Sequence, residues 1–161
     1  MSIRVRALAA LVAVAVLIPA AVFAAIPDYT QDFESLNAAD PNALGNDGWI
    51  VFANVYEAGS GNYLYGYGPF SAPNNPSAPA FSTIVGGEGG AEQGSQQLSV
   101  FSDYENGDEH TAGNVIEANV FQEFTIEAAD VGKVCTFAWQ AKMGALVPPS
   151  TATAFIKTLD P

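Results

Sequence analysis

Cysteine occurs once in this 161-residue chain, at Cys135, and histidine once, at His110. One cysteine excludes an intramolecular disulfide, and one histidine excludes a multi-histidine zinc centre. No Gly-x-Ser-x-Gly stretch is present, so nothing marks a nucleophile elbow that His110 could serve as base. His110 therefore reads as an incidental loop residue. Cys135 has no spaced partner and sits in an apolar alternating stretch, where a small buried hydrophobe is expected. The Glu-x-Asp-x-x-Glu strand of many β-sandwich glycosidases is missing too, since Glu117, Glu123 and Glu127 stand further apart. Two-carboxylate hydrolysis is thus the weaker reading. No residue is assigned a catalytic role.

Positive charge is nearly as scarce. Lysine and arginine number 5 against 17 aspartates and glutamates, a net charge of −12. Such a surface repels phosphate backbones, so nucleic acid is not an expected partner. Hard cations do suit it, because they prefer oxygen ligands. Solubility in a saline exterior would favour the same composition.

Long apolar runs are confined to the N-terminus. Arg4 and Arg6 precede the run Ala7–Ala21, and Val22-Phe23-Ala24 ends it with small residues at the −3 and −1 positions of a signal-peptidase site. This predicts a signal-peptide helix within residues 1–24 and one mature domain over residues 25–161. The run could just span a bilayer, but Pro19 and the small-residue exit argue against a retained anchor. No cysteine stands at the junction to take a lipid. Export to the periplasm or the exterior is expected, with no stable membrane insertion once the leader is gone. Cleavage after Ala24 removes two of the five cations and none of the 17 acids, moving the net charge from −12 to about −14.

The remainder is rich in β-type alternation and poor in helical periodicity. Strands are expected at Tyr29–Leu36, Gly48–Tyr56, Tyr63–Tyr67, Gln97–Ser102, Val115–Ile126, Lys133–Met143 and Ala152–Leu159. Gly48–Tyr56 is apolar on both alternating faces, as a strand inside a sandwich would be. Lys133–Met143 places Cys135, Phe137, Trp139 and Ala141 on one side. Trp49 and Trp139 lie in apolar stretches and read as core. Ala38–Asp47 has loop chemistry, and Ala128–Gly132 reads as a tight connection. The longest connector is Ser71–Gly94, interrupted only by Phe81–Val85; its prolines and glycine pairs disfavour helix. The expected fold is an all-β antiparallel β-sandwich of jelly-roll type. A jelly roll needs about eight strands, so this reading places the closing strands beyond Pro161; a smaller sandwich ending there is the alternative.

Four segments, "DFESL", "DGWIVFANV", "GSQQLSVFSD" and "NVFQEFTIEAADVGKVCTFAWQAKMG", carry a family likeness over Asp28 to about Leu159. In these the chain resembles secreted bacterial jelly-roll proteins related to carbohydrate-binding modules and galactose-binding-like domains. The likeness is one of pattern, with no diagnostic motif. Cys135 stands where relatives commonly carry an aromatic before the Thr-Phe pair. The resemblance implies a polysaccharide or glycan partner and a structural calcium ion that pins the chain ends, with Glu34 as a ligand.

Candidate binding residues come from the stretch "GNYLYGYGPF". As a strand it would project Tyr63, Tyr65 and Tyr67 to one face at about 6.6–7 Å spacing, with Phe70 close behind. Ring faces meet the C–H face of a pyranose and phenol hydroxyls bond its rim. Gly66 and Gly68 would let a ligand approach the backbone. The same rings could instead cover a core edge. For calcium, the loop Asp103-Tyr104-Glu105-Asn106-Gly107-Asp108-Glu109-His110 offers Asp103, Glu105 and Asp108, although it lacks the EF-hand spacing. Asp32 and Glu34 alternate with Phe33 and point away from it. A solvated acidic turn is the plainer account of the loop. Two functional classes stay open: a non-catalytic carbohydrate-binding module, and a structural or adhesive surface protein with no small-molecule ligand.

Overall fold

The computed structural model describes residues 28–77, 80–87, 94–102, 113–144, 146 and 148–159. The leader expected over 1–24 and the acidic loop over 103–110 lie outside the described residues. Among the described residues no helix is long and apolar enough to cross a membrane.

The element order is α1 (Ala43–Asn46), β1 (Ile50–Tyr56), β2 (Tyr63–Ser71), β3 (Ser82–Gly86), β4 (Gln96–Val100), β5 (Val115–Phe121) and a 3-10 turn at Ala128–Asp130. Every pairing among the described residues is antiparallel. One sheet has the order β2-β1-β5, and β3 pairs with β4 in a second. The chain is all-β, and its described α-helix is four residues long.

β1 forms because Val51, Ala53 and Val55 alternate with less buried neighbours, and these three are at most 4 % exposed. Ile116, Ala118 and Val120 lie across from them in register on β5. Residues directly opposite in an antiparallel pair share a face, so this side of the sheet is apolar throughout. Ile84 of β3 and Leu98 of β4 join the same core, so the two sheets bury one set of side chains. Leu44 of α1 and Phe81 complete it at 0 % and 1 % exposure. Burying side chains of that size contributes roughly 1.5–3 kcal/mol each.

The N-terminal strand expected at Tyr29–Leu36 is not formed. Gln31 Oε1 accepts the Phe33 N–H at 2.6 Å and Asp32 Oδ1 the Glu34 N–H at 3.0 Å, so side chains take the place of a ladder. Phe33 has φ +66°, and Leu36 N–H closes the turn on Phe33 O. Phe33 and Leu36 still pack against the core. The expected loop Ala38–Asp47 contains α1, entered through Asx turns at Asn37 and Asp40. The strand expected at Tyr63–Tyr67 runs on to Ser71, and the one expected at Val115–Ile126 stops at Phe121.

The largest difference lies at the C-terminus. Neither Lys133–Met143 nor Ala152–Leu159 forms a strand. Cys135 is exposed, contrary to the buried site expected for it, and Trp139 is 56 % exposed instead of core. Alternation records a tendency to pair; burial also needs a sheet edge and an apolar face to meet. Trp49 does reach the core, half-buried, with its ring 5.7 Å from that of Phe33.

Candidate functional site

The tyrosine row is split by irregular pairing. Val55 lies opposite Tyr65 while the next residue, Tyr56, lies opposite Tyr63, leaving Leu64 as a bulge. One extra residue reverses the side-chain alternation. Tyr65, Tyr67 and Phe70 therefore share the face of Val55, Ala53 and Val51, their register partners. Tyr63 turns to the opposite face, edge-on to Tyr56 at 5.9 Å. The expectation of three tyrosines on one face is corrected accordingly, and Phe70 takes the third place. A second irregularity, at Gly68 and Pro69, brings Phe70 beside Tyr67 with ring centroids 4.9 Å apart.

Gly66 also has a different role from the one its sequence position implies. A Cβ there would come within 2.5 Å of Phe52 Cζ and 3.0 Å of the Tyr63 hydroxyl. The space beside its backbone is filled by the protein's own rings. On that face the Glu117 carboxylate accepts from the Tyr56 hydroxyl at 2.9 Å and the Asn54 amide at 3.2 Å. The hydrogen bond to Glu117 is the main reason the Tyr56 hydroxyl titrates above its ordinary value, with desolvation second.

Tyr67 and Phe70 stay 38 % and 49 % exposed because the buried cluster stops short of them. Beside Phe70, where β1 enters the sheet and β2 leaves it, lies a shallow groove of about 420 Å³ lined by Gly45, Gly48, Trp49, Ile50, Pro69, Phe70 and Ser71. Its rim is polar. Asp47 Oδ2 accepts from Gln31 Nε2 at 2.5 Å and from the Trp49 indole N–H at 3.2 Å, and Gln122 Nε2 donates to Asp47 O at 2.8 Å. Tyr29 belongs to the same cluster. Burial first, and the Asp47 carboxylate second, push its hydroxyl above the ordinary tyrosine value. A second groove, about 220 Å³, runs beside α1 and is lined in part by Asp40, Asn46 and Asp47.

Chemically, this corner combines two exposed rings, an indole and amide groups around a shallow apolar floor. Sequence reasoning picks out Tyr65, Tyr67 and Phe70 but misses Gln31, Asp47 and Gln122, which meet only through the fold. The Gly-containing entry to β1, "NDGW", is the one local signal that backbone comes close there.

Of the proposed calcium ligands, Asp32 and Glu34 share one turn. Glu34 accepts three hydrogen bonds, from Ser95 N–H at 2.5 Å, Ser95 hydroxyl at 2.6 Å and Gln96 N–H at 2.5 Å. These donors, led by the Ser95 hydroxyl, hold its carboxyl below the ordinary value. Asp103, Glu105 and Asp108 lie outside the described residues. Among the described residues no group of three or more acidic, histidine or cysteine side chains converges.

No family model matches the chain, and no curated protein or solved structure matches it either.

Proposed function

We propose that the chain is an exported, non-catalytic β-sandwich module of jelly-roll type that binds carbohydrate along Tyr65, Tyr67 and Phe70 and into the groove beside Trp49. The observation that carries this reading is the pair of exposed rings, Tyr67 and Phe70, adjoining a groove floored by Trp49 and Pro69. Stacking on a sugar ring needs flat apolar faces, and specificity needs hydrogen-bonding groups at the edge. Both are supplied within one corner of the molecule.

Calcium enters this proposal as a structural ion. Its candidate ligands are Asp32 and Glu34 at the start of the domain and Asp103, Glu105 and Asp108 in the acidic loop. Oxygen-only donors of this kind match calcium chemistry. The two segments are separable, since each can be tested by its own carboxamide variants.

The experiment is a thermal melt of the exported chain against a panel of soluble polysaccharides, in calcium and in chelator. A ligand at about 100 times its Kd adds roughly 2.7 kcal/mol to the folded state, which is a readable rise in Tm. One glycan class raising Tm supports the module. A cooperative melt that no glycan moves refutes it and favours the structural or adhesive reading.

A further inference from the structure

The polar rim beside Trp49 directs its donors inward. The Trp49 indole N–H and the Gln31 amide both donate to Asp47 Oδ2, and the Gln122 amide donates to Asp47 O. The same three side chains bond the Tyr29 hydroxyl, and each bond favours its ionised form, so there too they act as donors. An indole has one N–H and an amide two, so these groups are engaged within the protein before a ligand arrives. What remains at the rim is acceptor oxygen and one negative charge. A carboxylate has about four lone-pair sites, and among the described residues Asp47 Oδ1 accepts no hydrogen bond. The partners of Oδ2 are neutral, so they orient the carboxylate without cancelling its charge.

That charge stands where a sugar in the groove would reach. Trp49 lines the groove beside Phe70, and the N–H edge of its ring is bonded to Asp47 at 3.2 Å. Gly48, between these two residues in sequence, lines the same groove, and a Cβ there would lie 3.9 Å from the Gln122 amide nitrogen. Asp47 is half-buried and lines the groove beside α1, so it keeps access to solvent.

We infer that the glycan taken at this corner carries free amino groups, as a polymer of unacetylated amino sugars whose ammonium meets the Asp47 carboxylate at the Trp49 edge of the groove. The inference rests on the glycan reading and names its ligand class. An ammonium brings three donors and no acceptor, the complement of a rim whose own donors are engaged. Its bond to a carboxylate is charge-assisted, roughly twice as strong as a neutral one. An N-acetylated sugar offers an uncharged amide in the same place. Uronates and sulfated sugars bring anions, which call for lysine or arginine. The stretch Asp28–Asp130, which supplies every residue named at this corner, contains neither.

Isothermal titration calorimetry on the exported chain tests this with three oligosaccharides of equal length: one of glucosamine, its fully N-acetylated form, and an oligogalacturonate. A mildly acidic buffer keeps the amines protonated and the carboxylates ionised. Expected is a Kd at least about tenfold lower for the glucosamine oligomer than for its N-acetylated form, with no binding of the oligogalacturonate. Asp47→Asn should bring that ratio to near unity, and Phe70→Ala should weaken both binders. Glu117→Gln removes a charge on the opposite face of the sheet and should keep the ratio, which separates a site from general attraction of a polycation to an acidic chain. Thermal melts check that each variant folds. Equal Kd values for the two glucosamine oligomers, both raised by Phe70→Ala, overturn the amino-sugar inference and leave the glycan reading standing. A preference that survives Asp47→Asn, or that Glu117→Gln removes, overturns it as well, and so does tight binding of the oligogalacturonate. If none of the three binds, the inference fails, and the melts against neutral polysaccharides decide the glycan reading separately.

Discussion

Glu34 and Ser95 lie 61 residues apart and are joined by two hydrogen bonds, the Ser95 N–H to Oε1 and its hydroxyl to Oε2. With the Gln96 N–H, this ties the N-terminal turn to the start of β4. The donors hold the Glu34 carboxyl below the usual glutamate value. A carboxylate depressed on folding stabilises the native state above its unfolded pKa, and that contribution is lost as pH falls through the folded pKa. Tm should therefore fall on acidification below the ordinary glutamate range. Glu34→Gln should lower Tm at neutral pH and narrow its gap from the parent chain in acid. Parallel Tm curves for the two proteins would show that Glu34 contributes nothing to the acid limb.

Gly94 stands against the same carboxylate. Its φ is +75°, and a Cβ there would sit 2.5 Å from Glu34 Oε1. The left-handed conformation costs a non-glycine residue about 1–2 kcal/mol, and the carboxylate is pinned by its three donors and cannot simply swing away. Gly94→Ala should destabilise the chain by roughly that amount or more in urea titration. It should also weaken the acid dependence attributed to Glu34. Gly59, by contrast, has φ +81° with open space around it, so Gly59→Ala should show the conformational cost alone.

β1 is the strand most legible in the residues themselves, because its run is apolar on both alternating faces. That the face of Val51, Ala53 and Val55 is the buried one is decided by packing. Tyr63 falls on the face opposite to the expected one because a bulge at Leu64 leaves no mark in a run of alternating aromatics. The Lys133–Met143 alternation is real, yet its burial depends on a partner strand that alternation does not supply. The clamp of Glu34 on Ser95 and the cluster of Gln31, Asp47 and Gln122 are long-range meetings of polar residues. No local pattern encodes them, because each side chain is individually at home in a turn.

Asn74 is the clearest residue that sequence reading passes over. It sits in the Pro-rich connector at 7 % exposure, with its amide nitrogen and its carbonyl oxygen both engaged. Its amide donates to Ala38 O and Asp40 O, both at 2.9 Å. Its carbonyl accepts from Ile84 N–H at 2.7 Å and the Thr83 hydroxyl at 3.1 Å. One side chain thus fastens the segment before α1 to β3. Removing it leaves buried partners unsatisfied, at about 1–3 kcal/mol each. Asn74→Ala should cost roughly 2–4 kcal/mol in chemical denaturation. Asn74→Asp should be at least as harmful, since it exchanges two donors for a charge. A loss below about 1 kcal/mol, on the order of a surface substitution, would show that the connector reorganises without it.

The split aromatic row makes the glycan proposal separable by face. Phe70 and Tyr67 project beside the Trp49 groove, while Tyr63 projects with Tyr56 on the other side of the sheet. Phe70→Ala removes the ring nearest the groove and should weaken retention on an immobilised polysaccharide about tenfold, equivalent to about 1.4 kcal/mol. Tyr67→Ala should weaken it by a similar factor. Tyr63→Ala should leave it unchanged, although Tyr63 is the most exposed of the three at 58 %. Affinity electrophoresis, with melts confirming that each variant folds, makes the comparison directly. Retention lost through Tyr63 and kept through Phe70 would move the site to the face of Tyr56 and Glu117, where the Glu117 carboxylate already bonds a phenol hydroxyl and an amide.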